Sequence, residues 1–146
     1  MNLLQALDDP NLFQPHFAGP SWAPWKTFLK VLFALPLNEA ELANYRRHTE
    51  RLTPPTKPST EAALVIGRRG GKSRVLALIA VYLGCFKNYA PYLATGEVAT
   101  ISIIASDRRQ ARVIFRFISG MLDATPMLRA MVTDESAEAI SLSNAS

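Results

Sequence analysis

The sequence predicts an α/β fold in which helices flank a parallel sheet, preceded by a helical N-terminal segment. Two apolar segments, residues 62–66 (AALVI) and 100–105 (TISIIA), are typical of strands buried in a parallel sheet. Each is followed by a segment with helical character, from Lys72 to about Asn88 and over residues 106–122. Strand, loop, helix, strand and helix in this order are the elements of a βαβ unit with a right-handed crossover.

Residues 1–52 are predicted to form the helical N-terminal segment, which five prolines interrupt. Within residues 25–35 the apolar side chains recur at helical spacing on one face. Pro24 suits the first turn of that helix, and Ser21 is a candidate cap upstream of it. Asn38 has the character of an N-cap before a second helix.

A proline-rich linker is predicted over residues 53–60 (TPPTKPST), which contain three prolines and four hydroxyl residues. Such a segment is stiff and buries little apolar surface. The predicted α/β part therefore covers residues 61–146, in which residues 138–143 (EAISLS) alternate like a further half-buried strand.

Composition excludes several classes of protein. The chain has 146 residues, 49% of them apolar and 19% charged, with one cysteine. This composition is not that of a disordered chain or of a secreted scaffold built on disulfides. No signal peptide is visible, and the longest apolar run is shorter than the roughly 20 residues that a membrane span needs. We therefore expect a cytoplasmic protein without a membrane partner, and its net charge of +4 is a mild bias towards anionic partners.

The most informative motif is GRRGGKS, residues 67–73, between the first predicted strand and the first long helix after it. Glycines let backbone N–H groups surround an anion, and a helix N-terminus favours negative charge. Lysine can reach terminal phosphates, and a hydroxyl can hold Mg²⁺. The motif predicts a P-loop NTPase-type sheet with ATP and Mg²⁺ as cofactors, and its nucleotide-binding residues are Gly67, Arg68, Arg69, Gly70, Gly71, Lys72 and Ser73.

The spacing of this loop departs from the usual pattern G-x-x-x-x-G-K-[ST]. That pattern places its first glycine at position 66, where the chain has Ile66, so the loop is one residue short. The alternative is a glycine-rich turn with a solvated basic cluster. Arg68 and Arg69 beside Lys72 argue against that alternative, because like charges in a tight turn repel one another unless an anion lies among them.

With its flanking segments, the chain resembles the N-terminal portion of the large terminase subunit of tailed bacteriophages. The resemblance covers GPSWAPWKTFLKVLFALPL, GRRGGKS and ATISIIASDRRQARVIFRFI, and continues to EAISLSN. It implies an ATPase that drives double-stranded DNA into capsids, together with a nuclease. It further implies a bacterial host cell, a small terminase subunit and a capsid portal as partners, and a homo-oligomeric motor.

The resemblance also implies roles for individual residues. Lys72 would contact the β- and γ-phosphates, and Ser73 would ligate Mg²⁺. Arg68 or Arg69 would be the catalytic arginine that offers charge to the γ-phosphate. The sequence does not distinguish between these two arginines.

Hydrolysis needs an acidic Walker B pair, and the only adjacent Asp and Glu are Asp134 and Glu135. We interpret them as a solvated turn, since Pro126 begins a segment typical of a short helix and Thr133 interrupts the apolar run. No nuclease-type cluster of acids is visible. The chain is therefore expected to be truncated before Walker B, to bind nucleotide, and to be catalytically incomplete.

Four arginines on the last predicted helix are candidate DNA contacts: Arg108, Arg109, Arg112 and Arg116. A solvated helix surface is the alternative interpretation. As a whole, the chain could instead be a small basic nucleic-acid-binding module whose glycine-rich loop contacts phosphates, or a non-functional remnant. An unfinished parallel sheet also predicts poor solubility or self-association.

Overall fold

The computed structural model describes residues 1–144. The chain divides into two compact units, Met1–Gly67 and the residues from Arg68 onward. The helices of the first unit are α1 (Leu3–Asp8), α2 (Ala23–Leu32) and α3 (Glu39–Thr49), with short 3-10 turns at Gln14–His16 and Pro20–Trp22. The second unit contains α4 (Lys72–Phe86), a 3-10 turn at Ala90–Tyr92, α5 (Arg108–Asp123), α6 (Pro126–Arg129), β1 (Val132–Glu135) and β2 (Ile140–Leu142).

Two of the three helices in the first unit, α1 and α3, begin at an asparagine capping box. The Asn38 side chain accepts from the N–H of Glu41 at 2.9 Å, and the Glu41 carboxylate accepts from the N–H of Asn38 at 3.0 Å. This capping box satisfies two backbone donors at the start of α3. The prediction of Ser21 as a cap is wrong: α2 follows directly from the 3-10 turn, and no side chain caps it.

The core of the first unit is built from apolar side chains of its helices and turns. Phe17 packs edge-to-face on Trp22, with ring centroids 4.9 Å apart. An ion pair joins α2 to α3, in which Lys30 Nζ lies 2.8 Å from Glu41 Oε1. The buried apolar residues are Leu3, Ala6, Leu7, Leu12, Phe13, Phe17, Leu29 and Tyr45.

The predicted parallel sheet is wrong. Within residues 1–144 the only sheet is the antiparallel pair β1–β2, in which Val132 is opposite Leu142 and Glu135 is opposite Ile140. Residues 62–66 and 100–105 belong to no strand. An apolar segment is compatible with a sheet interior, but it forms a strand only where a neighbouring strand takes up its backbone hydrogen bonds. The described chain supplies no such neighbour, so neither the βαβ unit nor the P-loop NTPase-type sheet forms.

The second unit is organised around the packing of α4 on α5. The guanidinium of Arg74 lies over the ring of Phe117, 5.5 Å from its centroid. The buried apolar side chains of the unit are Val75, Ala77, Leu78, Val81, Tyr82, Met121, Leu122 and Leu128.

The hairpin β1–β2 packs close to α4 at Gly84. A Cβ at that position would lie 3.2 Å from Leu142 Cδ1 and 3.7 Å from Ile101 Cδ1, so glycine allows this approach. The Asn144 side chain donates to the Gly84 carbonyl at 2.9 Å. In the part of the chain that the structure describes, no helix has the length and apolar character needed to cross a bilayer.

Candidate phosphate-binding site

The glycine-rich loop enters α4 through alternating backbone conformations. Arg69 has φ +62° and Gly71 has φ +81°, both in the left-handed region, and Gly70 between them has no positive φ. A left-handed residue followed by a right-handed one turns consecutive N–H groups towards one side, as in an anion-binding nest, and Gly71 followed by the helical Lys72 is such a pair. Gly71 is the N-cap of α4, and Lys72 is its first residue.

The start of α4 has no side-chain cap. No side chain makes a capping hydrogen bond at Gly71, and the first turn contains no acidic residue. The first N–H groups of a helix lack partners within the helix, and the helix dipole places partial positive charge there. The first turn of α4 therefore presents backbone donors and positive potential, and no acidic side chain of that turn offsets them.

The side chains around this helix start are cationic and accessible. Arg68, Arg69 and Lys72 are exposed, while Ser73 is half-buried in the first turn. Of the predicted nucleotide-binding residues, Arg68, Arg69, Gly70 and Gly71 lie in the loop, and Lys72 and Ser73 are the first two residues of α4. Gly67 ends the first unit, and a Cβ there would meet nothing within 4 Å, so no steric requirement for glycine exists at that position.

The arrangement suits phosphate groups better than a free metal ion. Phosphates match the backbone donors and the three cations of the loop. Mg²⁺ prefers several oxygen ligands, of which Ser73 offers one, and the described residues contain no group of three or more His, Cys, Asp or Glu placed to hold a metal. These residues could therefore hold Mg²⁺ only together with a bound nucleotide, whose phosphate oxygens would supply further ligands.

The acidic pair Asp134 and Glu135 lies in strand β1, so the predicted turn is wrong. Glu135 Oε2 lies 2.6 Å from Arg129 Nη1, and the hydrogen bond from Arg129, followed by that from Ser119, lowers the pKa of Glu135. Asp134 is exposed. The carboxylate of Glu135 is therefore engaged with an arginine of its own unit.

The arginines of α5 divide into two pairs. Arg108 and Arg112 approach the Glu138 carboxylate at 4.0 Å and 3.7 Å, and all three side chains are exposed. Arg109 and Arg116 are exposed as well. Asp107 caps the helix, because its Oδ1 accepts from the N–H of Gln110 at 2.8 Å. The negative side chains of Glu138 and Asp107, in the same unit, therefore accompany this basic surface.

No protein-family model matches the chain. No curated protein and no solved structure gives a significant match either. The chemistry of the loop and of α4 therefore carries the functional argument.

Sequence reasoning missed a cavity of about 720 Å³ in the second unit. Its walls come from the second half of α4, residues 98–103, α5 and residues 137–144. The one feature of the sequence that points to this cavity is Gly84, since a glycine inside an apolar helix indicates that other groups approach the helix closely. Cys85 also lines the cavity, and burial raises the pKa of its thiol to about 11, which favours a packing role over a reactive one.

Proposed function

We propose that this chain binds a nucleoside triphosphate through residues 67–73, as the N-terminal ATP-binding part of a phage or prophage terminase large subunit. The observation that carries the phosphate part of the proposal is the uncapped, acid-free start of α4 within a basic glycine-rich loop. The resemblance in GRRGGKS and its flanking segments supports the terminase part.

Each residue of the loop has a role in this proposal. Lys72 contacts the β- and γ-phosphates, and the N–H groups of the first turn of α4 donate to phosphate oxygens. Arg68 or Arg69 places charge near the γ-phosphate. Ser73 offers one ligand to Mg²⁺, which neutralises phosphate charge when it is bound.

The proposed activity of this chain is nucleotide binding without hydrolysis. The carboxylate of Glu135 is held by Arg129, and the described residues include no acidic cluster that would hold a metal at a nuclease site. Double-stranded DNA, the small subunit, the capsid portal and further copies of the motor are proposed partners on the resemblance alone, and the proposed DNA contacts are Arg108, Arg109, Arg112 and Arg116.

A second candidate function is a small basic nucleic-acid-binding module. The exposed side chains of Arg109 and Arg116 favour it, because they lie in the same unit as the glycine-rich loop. In that case the loop holds a backbone phosphodiester instead of a triphosphate. The affinity for nucleic acid then falls steeply as the salt concentration rises.

Calorimetric titration of the chain with ATP, with and without Mg²⁺, tests the proposal. We expect saturable binding that Lys72→Ala weakens by about tenfold or more, since a hydrogen bond to a charged group contributes about 1.5–3 kcal/mol. Lys87→Ala is the matched control, because Lys87 is the C-cap of the same helix, and it should leave ATP affinity unchanged.

Two outcomes would count against nucleotide binding. The first is the absence of saturable ATP binding by a chain whose circular dichroism shows folded helices. The second is DNA binding that depends on salt and on Lys72 while ATP does not compete, and this result would favour the second candidate.

A further inference from the structure

The cavity of the second unit follows one face of α5 from charged to apolar side chains. Its volume of about 720 Å³ is within the range of pockets that take small molecules. The cavity-lining residues of α5 recur at helical spacing, and those from Arg112 to Leu122 span about 15 Å of the helix. In chain order they are Arg108, Ala111, Arg112, Phe115, Ile118 and Leu122. One end of the cavity is therefore cationic, and the other end is apolar.

Uncharged side chains of other elements complete the apolar end. Val81 comes from α4, and Ile140 and Leu142 come from β2. Residues 98–103 (VATISI) form a further wall, which carries no charge. An apolar group that enters this part of the cavity leaves water without displacing an ionic interaction, and such a transfer is favourable.

The charged side chains that line the cavity, within the described part of the chain, are Arg108, Arg112 and Glu138. Arg108 Nη1 and Arg112 Nη2 lie 4.0 Å and 3.7 Å from Glu138 Oε1, and both distances are longer than a hydrogen bond. A single carboxylate thus faces two guanidinium groups. Together the three side chains carry one excess positive charge at the cationic end.

Other charged residues close by in the sequence do not change this balance. Glu97 Oε2 accepts from the N–H of Ala94 at 2.8 Å, and Asp107 Oδ1 accepts from the N–H of Gln110 at 2.8 Å. Neither acid lines the cavity, and neither does Arg109. The charge that a ligand meets inside the cavity is therefore that of two arginines and one glutamate.

We propose that this cavity binds a monocarboxylate with an apolar tail, the class to which medium-chain fatty acids belong. The carboxylate contacts Arg112 and Arg108, since guanidinium and carboxylate groups form charge-assisted hydrogen bonds in matching geometry. The tail lies along α5 towards Leu122, where the walls are uncharged. One negative charge balances the excess at the cationic end. The site is separate from the phosphate loop, because none of residues 67–73 lines the cavity.

Calorimetric titration of the full chain with decanoate, below the concentration at which decanoate forms micelles, tests this proposal. We expect saturable binding at a single site. Arg112→Gln should weaken it by about tenfold or more, because the carboxylate loses a charged donor. Arg116→Gln is the matched control, since Arg116 is exposed on the same helix but does not line the cavity, and it should leave the affinity unchanged.

Glu138→Gln provides a test in the opposite direction. It removes the carboxylate that competes for the two arginines and repels the ligand, so decanoate should bind more tightly. A merely structural role of the contact between Arg112 and Glu138 predicts instead that both variants lose affinity. Decanol has the same tail without the charge, and it should bind more weakly than decanoate and be insensitive to Arg112→Gln.

Circular dichroism confirms that each variant keeps its helices. Saturable decanoate binding that Arg112→Gln weakens and Glu138→Gln strengthens would support the proposal. Four results would each overturn it: no saturable binding of decanoate to the folded wild-type chain, equal losses in Arg112→Gln and Arg116→Gln, weaker binding in Glu138→Gln, or an affinity for decanol as high as that for decanoate.

Discussion

Helices α4 and α5 both begin beside basic residues, yet their N-termini differ in how the backbone donors are satisfied. At α5 the Asp107 carboxylate accepts from the N–H of Gln110 at 2.8 Å and supplies negative charge. At α4 the N-cap is Gly71, no side chain caps the helix, and the first turn has no acid. Basic residues at a helix start are therefore an incomplete signal for an anion site. A helix start with neither a side-chain cap nor an acid in its first turn separates α4 from α5.

The other helix starts sharpen this difference. Asn2 and Asn38 form capping boxes at α1 and α3. Helix α2 also lacks a side-chain cap, but a 3-10 turn leads into it and Pro24 in its first turn has no N–H to satisfy. Among these helices, α4 combines an uncapped start with an adjacent cationic loop.

The largest expected effect is that of Gly71→Val. A β-branched residue is strained at φ +81°, by about 1–3 kcal/mol, and the strain would move the N–H groups at the start of α4. We expect ATP affinity to fall more than tenfold and the melting temperature to decrease. Calorimetry and thermal unfolding measure the two effects.

Gly120→Ala is the matched control for that substitution. Gly120 lies within α5, and a Cβ there would meet nothing within 4 Å. Alanine should stabilise the helix by about 0.5–1 kcal/mol and leave ATP affinity unchanged. Equal behaviour of the two glycine variants would contradict the special role of Gly71.

A smaller effect is expected when the capped helix is made to resemble the uncapped one. Asp107→Ala removes the acceptor for Gln110 and should cost about 1 kcal/mol of stability, measured by urea unfolding. ATP affinity should remain that of the wild type, because the site lies at α4. Loss of ATP binding in this variant would show that the start of α5 takes part.

The smallest effect concerns the carboxylate that caps α3, and it appears as a dependence on pH. Burial favours the neutral form of Glu41, but hydrogen bonds from Lys30 and the Asn38 N–H outweigh it and lower its pKa. The stabilisation is therefore fully present above the ordinary glutamate pKa of about 4.3 and is lost as pH falls through the lowered value.

Unfolding by urea across pH 3 to 6 measures this contribution. Glu41→Gln should flatten the decrease in stability towards low pH, whereas Glu39→Gln is the control in the same first turn. An unchanged acid profile in Glu41→Gln would contradict the assigned role of this carboxylate.

Local signals in the sequence were sufficient for several elements. The capping character of Asn38 and the helix beginning at Lys72 are both present in the structure. Such signals depend on residues within one or two turns of each other, which is why they can be seen in one sequence. For the antiparallel hairpin, the sequence EAISLS predicts strand β2, but nothing in the sequence predicts that β1 is its partner.

The prediction of a parallel sheet is wrong, because a strand depends on a neighbour that is distant in sequence and that composition does not reveal. Residues 62–66 and 100–105 have suitable composition but lie outside any strand. For the site, the sequence predicts the loop and its cations, and this stays a prediction. The positive φ of Arg69 and the missing cap of α4 became visible only in three dimensions.

Backbone amide NMR spectra of the chain during titration with ATP and Mg²⁺ test the central claim most directly. If α4 holds the phosphates, the amide resonances of residues 69–74 shift saturably, while those of residues 108–110 at the capped start of α5 stay in place. Shifts centred on residues 108–116, or no saturable shift in residues 69–74, would contradict the account.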